Sequence, residues 1–392
     1  MPTSDAEALF NRWSRRSLQA AGAAALLIVI GAFTNREQLF RSYLFGFLFW
    51  LAPALGSLGI ALLHDMTGGA WGFAIRRFLE AAMRTLPLNV LLFLPLLLGL
   101  DQLYLWASPA IVASDPVLQH KAPYLNVRFF TGRAASYFAA WLLLMWVLDR
   151  WTMRYEQTHD RAINRRIRTI AGPGIALYGL TMSFAAIDWA MSLEPHWSST
   201  MYGVFFIVGQ PLTTFAFTIW LAARVHHLPP FSGTRSAEQL HDLGKLLMAF
   251  VLLWAYISFA QYLIIWSANL PEETPWYLHR LHHGWQAIAL LLVIFHFALP
   301  FALLLSRKLK RRAEMLGVIA GLLFLMRFVD LFWMIGPAFH QQGFAIHYLD
   351  VACPVAIGGL WLAYFLFQLK RRPLLVARED APVGQVDVAA SH

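Results

Sequence analysis

The feature that most constrains this chain is the recurrence of long apolar segments along almost its whole length. A helix needs roughly 20 mostly apolar residues to cross the ~30 Å hydrocarbon core of a bilayer. Ten segments meet this requirement, namely residues 17–33, 42–63, 85–105, 129–148, 172–190, 201–223, 244–266, 284–306, 315–336 and 351–369. The sequence therefore predicts an all-α integral membrane protein with about ten transmembrane helices.

Composition agrees with this interpretation and excludes several functions. The 392 residues are 58% hydrophobic and only 14% charged, whereas about 25% of residues are charged in soluble proteins. The single cysteine, Cys353, excludes an internal disulfide, a CxxC redox pair and a cysteine-ligated iron–sulfur cluster. The net charge is +9, but the basic residues are clustered and no nucleic-acid motif is present, so we expect no nucleic-acid partner.

The basic residues also predict the orientation. When the Lys and Arg residues are sorted by loop, 24 of the 31 fall on the side that carries both termini, six fall on the other side, and Arg327 lies inside a span. The positive-inside rule then places both termini of this multi-pass protein in the cytoplasm. Residues 1–16 are predicted to be a cytoplasmic tail, 17–370 the membrane domain and 371–392 a disordered cytoplasmic tail. The amphipathic segment 71–84 is predicted to lie at the membrane interface before the third span.

Unusual polar residues concentrate in two loops on the predicted outer face. The first, residues 186–203, contains Asp188, Glu194 and His196 beside two tryptophans. Carboxylates and histidines at a membrane boundary can pass protons, and neighbouring aromatic rings suit a quinone. The structural alternative is that the tryptophans form an interface belt and the carboxylates cap helix ends.

The second loop, residues 269–286, carries a dense titratable patch. Its members are Glu272, Glu273, His279, Arg280, His282 and His283. The three histidines would share one face of a helix, yet no further ligand stands in register, so a structural use is favoured over a metal site. His282 and His296 have the spacing of paired haem ligands, but a second helix with a matching pair is missing, and no bound haem is expected.

Two charges lie within the ninth apolar segment. Arg327 and Asp330 are one helical turn apart, and each charge alone would cost about 2.5–3.5 kcal/mol at mid-bilayer. As a pair they are either a structural link between helices or part of a proton path, with Asp101, at the end of the third segment, as a less buried candidate. We predict that the pair faces a polar cavity continuous with Asp188 and the outer-face histidines.

Four stretches resemble a known family. YGLTMSFAAIDWAMSLEPHWSSTMYGVFFIVGQ (178–210) is similar to the signature of the second NrfD-like membrane subunit of alternative complex III, a quinol:cytochrome c oxidoreductase. HKAPYLN (120–126), YLIIWSANLPEETPWYLHRLHHGWQ (262–286) and LLLVIFHFALPFALLLSRKLK (290–310) look similar as well. Together these stretches extend over most of spans four to eight.

The resemblance implies a subunit of two four-helix bundles plus peripheral helices. Its expected partners are a second NrfD-like subunit, small membrane subunits, and periplasmic subunits that carry haem c and iron–sulfur clusters, so this chain would bind no redox cofactor of its own. The resemblance implies that the quinol site is better assigned to the other NrfD-like subunit. Subunits of the present kind are commonly called quinone-binding, so quinol remains a possible ligand, but the main role implied is proton conduction or structural support. Carried over by position, the resemblance favours six residues as candidates for quinone binding or a proton path: Asp188, Glu194, His196, Glu272, Glu273 and Arg280.

Two other functions stay open. A proton-coupled secondary transporter could use Asp188 and the Arg327–Asp330 pair as its coupling site, although inverted repeats and broken helices are not evident in the sequence. A purely structural membrane anchor is the second alternative.

Overall fold

Ten long apolar helices dominate the structure, a computed structural model that describes residues 5–229, 231, 237–340 and 342–374. Within these residues, ten helices are long and apolar enough to cross a membrane. The spans, numbered first to tenth in chain order, are Asp5–Thr34, Arg36–Thr67, Arg76–Leu103, Val127–Thr158, Arg161–Leu193, Tyr202–Val225, Ala237–Ala268, Trp285–Leu305, Ala313–Phe339 and Leu349–Lys370. The prediction of an all-α membrane protein with ten transmembrane helices is confirmed.

Most helices begin earlier or end later than the apolar segments that revealed them. The first helix begins at Asp5 rather than at residue 17, so most of the predicted N-terminal tail is helical, and Phe10 is buried against Phe231. The reason is that hydropathy detects only the apolar middle of a helix, whereas backbone hydrogen bonding continues through polar turns. The predicted disordered C-terminal tail lies outside the described residues from 375 onward.

The spans pack as two groups of four with two helices outside them. The second to fifth spans surround one another, and so do the sixth to ninth. The two groups meet where the second span packs against the sixth, and the fifth against the sixth. The first and tenth spans pack together and against the second. This arrangement agrees with the two-bundle fold that the sequence resemblance implies.

The two ends of the bundle differ in their side chains. Lys370 Nζ donates to Asn11 Oδ1 at 2.6 Å, so the first span begins at the end where the tenth stops. We call this end, which also carries Glu80 and Glu156, the basic face. The other end, which carries Asn35 and Asp115, is the opposite face.

Short helices fill the loops of the opposite face. Two, Pro109–Ser114 and Pro116–Lys121, connect the third and fourth spans, and Thr274–Leu281 precedes the eighth. Each begins with a proline in its first turn, where the missing N–H costs no hydrogen bond. These loops pack the polar groups of the opposite face onto the bundle.

Two spans are interrupted at prolines. In the third span, Arg76–Met83 and Leu86–Phe93 are followed by the 3₁₀ turns of Leu94–Gly99, which contain Pro95. In the eighth span, Val293–Ala298 is a π-helical segment, and Pro300 follows it. A proline at this position cannot donate to the carbonyl four residues earlier, that of His296, and a widened helix relieves the mismatch.

The predicted interfacial helix at 71–84 is instead enclosed by protein. Residues 77–83 are all buried, including Arg77 and Glu80, and they pack against the second and tenth spans. Their charges do not face water or lipid headgroups because they pair with acidic and basic groups on neighbouring spans. The amphipathic pattern therefore does mark a helix with a polar and an apolar side, but the polar side faces an internal ionic network instead of the membrane surface.

Candidate functional site

Asp188 lies at the end of the fifth span and is completely enclosed, with 0% of its surface exposed. Arg133 of the fourth span approaches both carboxylate oxygens, with Nε to Oδ2 and Nη2 to Oδ1 each at 2.8 Å. The Tyr137 hydroxyl donates to Oδ2 at 2.8 Å. Such a bidentate, charge-assisted arrangement is among the strongest hydrogen-bonded pairs in proteins. The carboxylate is thus fully partnered.

Arg133 is itself held from three sides. Its Nη1 donates to the Tyr124 carbonyl at 2.9 Å, and its guanidinium lies over the rings of Tyr124 and Phe129 at 3.8 and 4.3 Å. Sequence reasoning singled out Asp188 but missed Arg133, because 55 residues separate the two. We interpret this site as a structural ion pair that holds the fourth and fifth spans together.

Glu194, from the first predicted loop, and Arg280, from the second, pair with each other and so join the two loops. Arg280, only 1% exposed, donates from Nη2 to Glu194 Oε2 at 2.8 Å and to the Met334 carbonyl at 2.6 Å. Its guanidinium lies 3.6 Å from the centroid of the Trp276 ring. His279 Nδ1 is 3.2 Å from the other Glu194 oxygen. Burial opposes ionisation of Glu194, but Arg280 and His279 outweigh it and hold the pKa of Glu194 below its ordinary value.

His196 forms a separate, exposed pair. Its Nε2 lies 2.7 Å from Asp115 Oδ2, and Asp115 also caps Pro116–Lys121 by accepting from the Val117 amide at 2.9 Å. Although slight desolvation acts the other way, the backbone amides and His196 lower the pKa of Asp115. Capping of this kind is a stabilising role, so His196 is part of the loop scaffold.

The remaining histidines do not share a helical face. The helix ends at Leu281, His282 is extended, and His283 has a positive φ of 54°. The expected i, i+3, i+4 array is therefore wrong, because the chain turns at His283 and Gly284 to enter the eighth span. Glu272 and Asp101 are exposed, and Glu273 is half-buried just before the helix.

The Arg327–Asp330 pair is a direct buried contact, as its spacing predicted. Trp254 of the seventh span donates to Asp330 Oδ2 at 3.2 Å, and Arg327 Nε donates to Thr213 Oγ1 at 3.4 Å. The sixth span admits the guanidinium at Gly209, where any side chain would overlap Arg327. The pair thus connects the sixth, seventh and ninth spans in the interior of the second bundle.

His296 also lies at this centre, whereas sequence reasoning considered it only as a haem ligand paired with His282. It is 0% exposed, and neither ring nitrogen has a hydrogen-bond partner among the described residues. Its ring centroid lies 4.1 Å from that of Trp254, the same tryptophan that donates to Asp330. An unpartnered buried polar group is costly and calls for a reason. The available signals were Pro300 and the helix distortion that it imposes at His296.

Two small cavities lie in series along the seam between the second and ninth spans. The inner cavity is lined by Leu48, Phe49, Ala52, Phe206, Gln210, Thr213, Arg327 and Leu331. The outer cavity is lined by Gln38, Arg41, Phe45, Phe332, Ile335, Gly336, Phe339, His340 and Asp350. Each measures about 10 Å³, close to the ~10–15 Å³ that one water molecule needs.

The outer cavity ends at a buried carboxylate near the opposite face. Asp350 Oδ1 accepts from Gln38 at 3.0 Å and from Ser42 at 2.6 Å, while Oδ2 accepts from the His347 amide at 2.8 Å. Burial lowers the pKa of His340 in the same cavity. The inner cavity, beside Arg327, and the outer cavity, beside Asp350 and His340, thus lie along the same seam. Neither cavity is lined by Asp188 or by the histidines at 279–283. The predicted continuity with Asp188 is not found in these two cavities.

A further polar cluster, at the basic face, was not predicted from the sequence. Glu80 pairs with Arg76, Arg77 and Arg372 at 3.0, 2.8 and 3.5 Å. Further pairs of this network are Arg76–Asp65 at 2.6 Å, Arg77–Glu156 at 2.8 Å and Arg372–Asp149 at 2.7 Å. The network ties the second, third and fourth spans to the end of the tenth. Every charge has a near neighbour of opposite sign, as expected of a structural network.

Compared with known protein families and with curated proteins, the chain matches none.

Proposed function

We propose that this chain is a membrane subunit of a quinol-oxidising respiratory complex of the alternative complex III type, in which it handles protons while partner subunits carry the redox cofactors. The resemblance of residues 178–210 and 262–286 to that family supports the assignment of the complex. The distribution of basic residues supports a location of both termini in the cytoplasm, and the same resemblance supports a bacterial inner membrane.

The observation that carries the proton role is the buried centre formed by Arg327, Asp330 and His296. Ionisable side chains inside a membrane protein are expensive and mark ion or proton pathways more often than they mark simple packing. An imidazole can accept a proton at one nitrogen and release one from the other. Neither nitrogen of His296 has a hydrogen-bond partner among the described residues, so protonation at either nitrogen would break no existing hydrogen bond.

The cavities supply the approach to this centre. A proton entering from the opposite face would meet His340 and Asp350 at the outer cavity and Arg327 at the inner one. The Phe45 ring, which lines the outer cavity together with Phe332, contacts the rings of Phe328 and Phe332 with centroids 4.7 and 5.4 Å apart. We propose that a rearrangement of these rings connects the two cavities.

Quinol itself does not fit either cavity. A space for about one water molecule cannot hold a quinone ring, which is several times larger. We therefore propose that quinol is oxidised at the neighbouring NrfD-like subunit and that this chain moves only protons. The stacked rings of Trp197 and Trp276, with centroids 4.9 Å apart, are buried and also contact Tyr202, so they present no open face to a quinone.

A proton-coupled transporter is the second candidate, and the same buried centre favours it. Purification distinguishes the two. A tagged chain extracted in mild detergent should bring haem-bearing partners and quinol:cytochrome c activity if it belongs to the complex. A chain that purifies alone, without haem absorbance, and acidifies proteoliposomes only in exchange for a solute would contradict the respiratory assignment and support the transporter.

A further inference from the structure

We propose that the hairpin between the fourth and fifth spans is a binding site for the headgroup of an anionic phospholipid. The inference rests on the ten-span fold and is independent of the respiratory function proposed above. Six arginines lie in this hairpin, and all of them are exposed: Arg150, Arg154, Arg161, Arg165, Arg166 and Arg168. None of the six forms an ion pair with another described residue.

The lack of acidic partners sets this hairpin apart from the rest of the basic face. A short distance away, Arg76, Arg77 and Arg372 are each matched to carboxylates. The hairpin has acidic residues of its own, but Asp149 and Glu156 pair with Arg372 and Arg77, and the exposed Asp160, at the turn, caps the fifth span by accepting from the Ala162 amide at 2.8 Å. Among the described residues, none of these carboxylates forms an ion pair with the six arginines, which leaves the guanidiniums available to an external anion.

Helix geometry arranges four of the six guanidiniums in two levels, with Arg161 one turn further from the bilayer. Arg150 and Arg154 are four residues apart on the fourth span, and Arg161, Arg165 and Arg168 repeat at i, i+4 and i+7 on the fifth, so each set shares a face. The two helices are antiparallel and are joined through His159, which has a φ of 50°. Arg154 therefore stands level with Arg165, and Arg150 with Arg168.

The depth of these levels matches the headgroup layer. Trp146, 54% exposed, is one turn further into the membrane than Arg150, whose guanidinium lies 5.4 Å from its ring centroid. Exposed tryptophans at helix ends sit at the headgroup level. The two arginine levels are ~6 Å apart along the helices, and the headgroup region is about 5–8 Å thick on each side of the bilayer.

An apolar surface continues from the arginines towards the bilayer centre. On the fifth span, Leu177, Leu180 and Phe184 are exposed on successive turns, and Leu143 is exposed on the fourth. An acyl chain lying on this surface would bring its phosphate to the arginines. This continuity favours a lipid over an acidic protein segment, which would need no apolar stripe below the charges.

The test compares two matched triple variants of the full-length protein in neutral detergent. The first, R161Q/R165Q/R168Q, alters the hairpin. The second, R12Q/R15Q/R16Q, removes the same charge from exposed arginines on the first span. Binding of dioctanoyl phosphatidylglycerol and of dioctanoyl phosphatidylcholine is measured by native mass spectrometry over a concentration series.

We expect the unaltered chain to prefer phosphatidylglycerol. The hairpin variant should bind it on the order of 100-fold more weakly, and the first-span variant should bind it as tightly as the unaltered chain. R161K/R165K/R168K keeps the charges and should retain binding, which guards against a folding defect in the glutamine variant. Equal weakening in both glutamine variants, no preference between the lipids, or a copurifying acidic protein that only the hairpin variant loses would each overturn the proposal.

Discussion

Asp188 and Asp330 are both buried carboxylates paired with an arginine, yet their surroundings differ. Asp188 accepts two bonds from Arg133 and one from Tyr137, and aromatic rings enclose its partner. Asp330 has Arg327 and Trp254, with a water-sized cavity beside Arg327. His296 packs against the same tryptophan, and neither of its nitrogens has a hydrogen-bond partner among the described residues. The Asp188 carboxylate itself is fully partnered, although Tyr124 Oη and Trp189 Nε1 beside it have no partner among the described residues, whereas the Asp330 site contains an ionisable group with unused hydrogen-bonding capacity.

The difference separates a structural charge pair from a candidate for proton chemistry. A satisfied bidentate pair has one stable arrangement, and moving a proton through it would break bonds that the local structure needs. A centre with an unpartnered imidazole and space for water can change protonation with less rearrangement. Burial of a charge alone, which both sites share, does not reveal which role it has.

The largest expected effect comes from replacing only the carboxylate of either charge pair. Asp188→Asn and Asp330→Asn each leave a buried arginine without its counter-charge, which costs about 3–5 kcal/mol. Both variants should therefore show a lower yield of folded protein and a lower apparent Tm in detergent. Asp101→Asn, an exposed carboxylate at the end of the third span, is the matched control and should behave like the unaltered chain. If either buried variant is equally stable, its carboxylate is not held as a charge pair.

Removing both partners of each pair should distinguish the two sites. Because apolar replacement of a whole buried pair is often neutral, Arg327→Met with Asp330→Leu and Arg133→Met with Asp188→Leu should both fold and assemble. Only the first double variant should lose proton release and turnover in a quinol:cytochrome c assay, by roughly 100-fold. Full activity in an assembled Arg327→Met, Asp330→Leu protein would eliminate the proton role of this pair.

Replacement of His296 should have a smaller effect, in which stability is unchanged or raised while proton release falls. His296→Phe replaces an unpartnered buried imidazole by an apolar ring, so the free energy of unfolding should stay equal or rise by about 1 kcal/mol. Proton release should fall in the same variant. His282→Phe, at an exposed position, should alter neither quantity. A strongly destabilised His296→Phe protein would mean that a structural partner of the imidazole exists.

The smallest effect concerns acid stability at the opposite face. The pKa of Glu194 lies below its ordinary value in the folded protein, so its ionised form stabilises the fold at neutral pH. That contribution is lost as the pH falls below about 4.5 and through the lowered pKa. Glu194→Gln should therefore flatten the pH dependence of the apparent Tm below about pH 5. An unchanged acid profile in the variant would show that Arg280 and His279 do not stabilise the carboxylate.

Local spacing explains which site features could be predicted. Arg327 and Asp330 were paired correctly because a three-residue separation places two side chains on one helical face whatever the tertiary fold. Glu194 and Arg280 were both singled out, but their contact was not, since 86 residues lie between them. The histidines at 279–283 were misjudged because the helix was assumed to continue through a turn with positive φ.

The class of protein, the number of spans and the end of the bundle where the basic residues gather could be predicted from the sequence. These properties are sums over consecutive residues, and a bilayer imposes them without reference to contacts between helices. Three features could not be predicted: Arg133 pairs with Asp188, residues 77–83 face an ionic network, and His296 packs against Trp254 with no hydrogen-bond partner among the described residues. Each of these depends on which helices become neighbours, and packing between distant segments decides that.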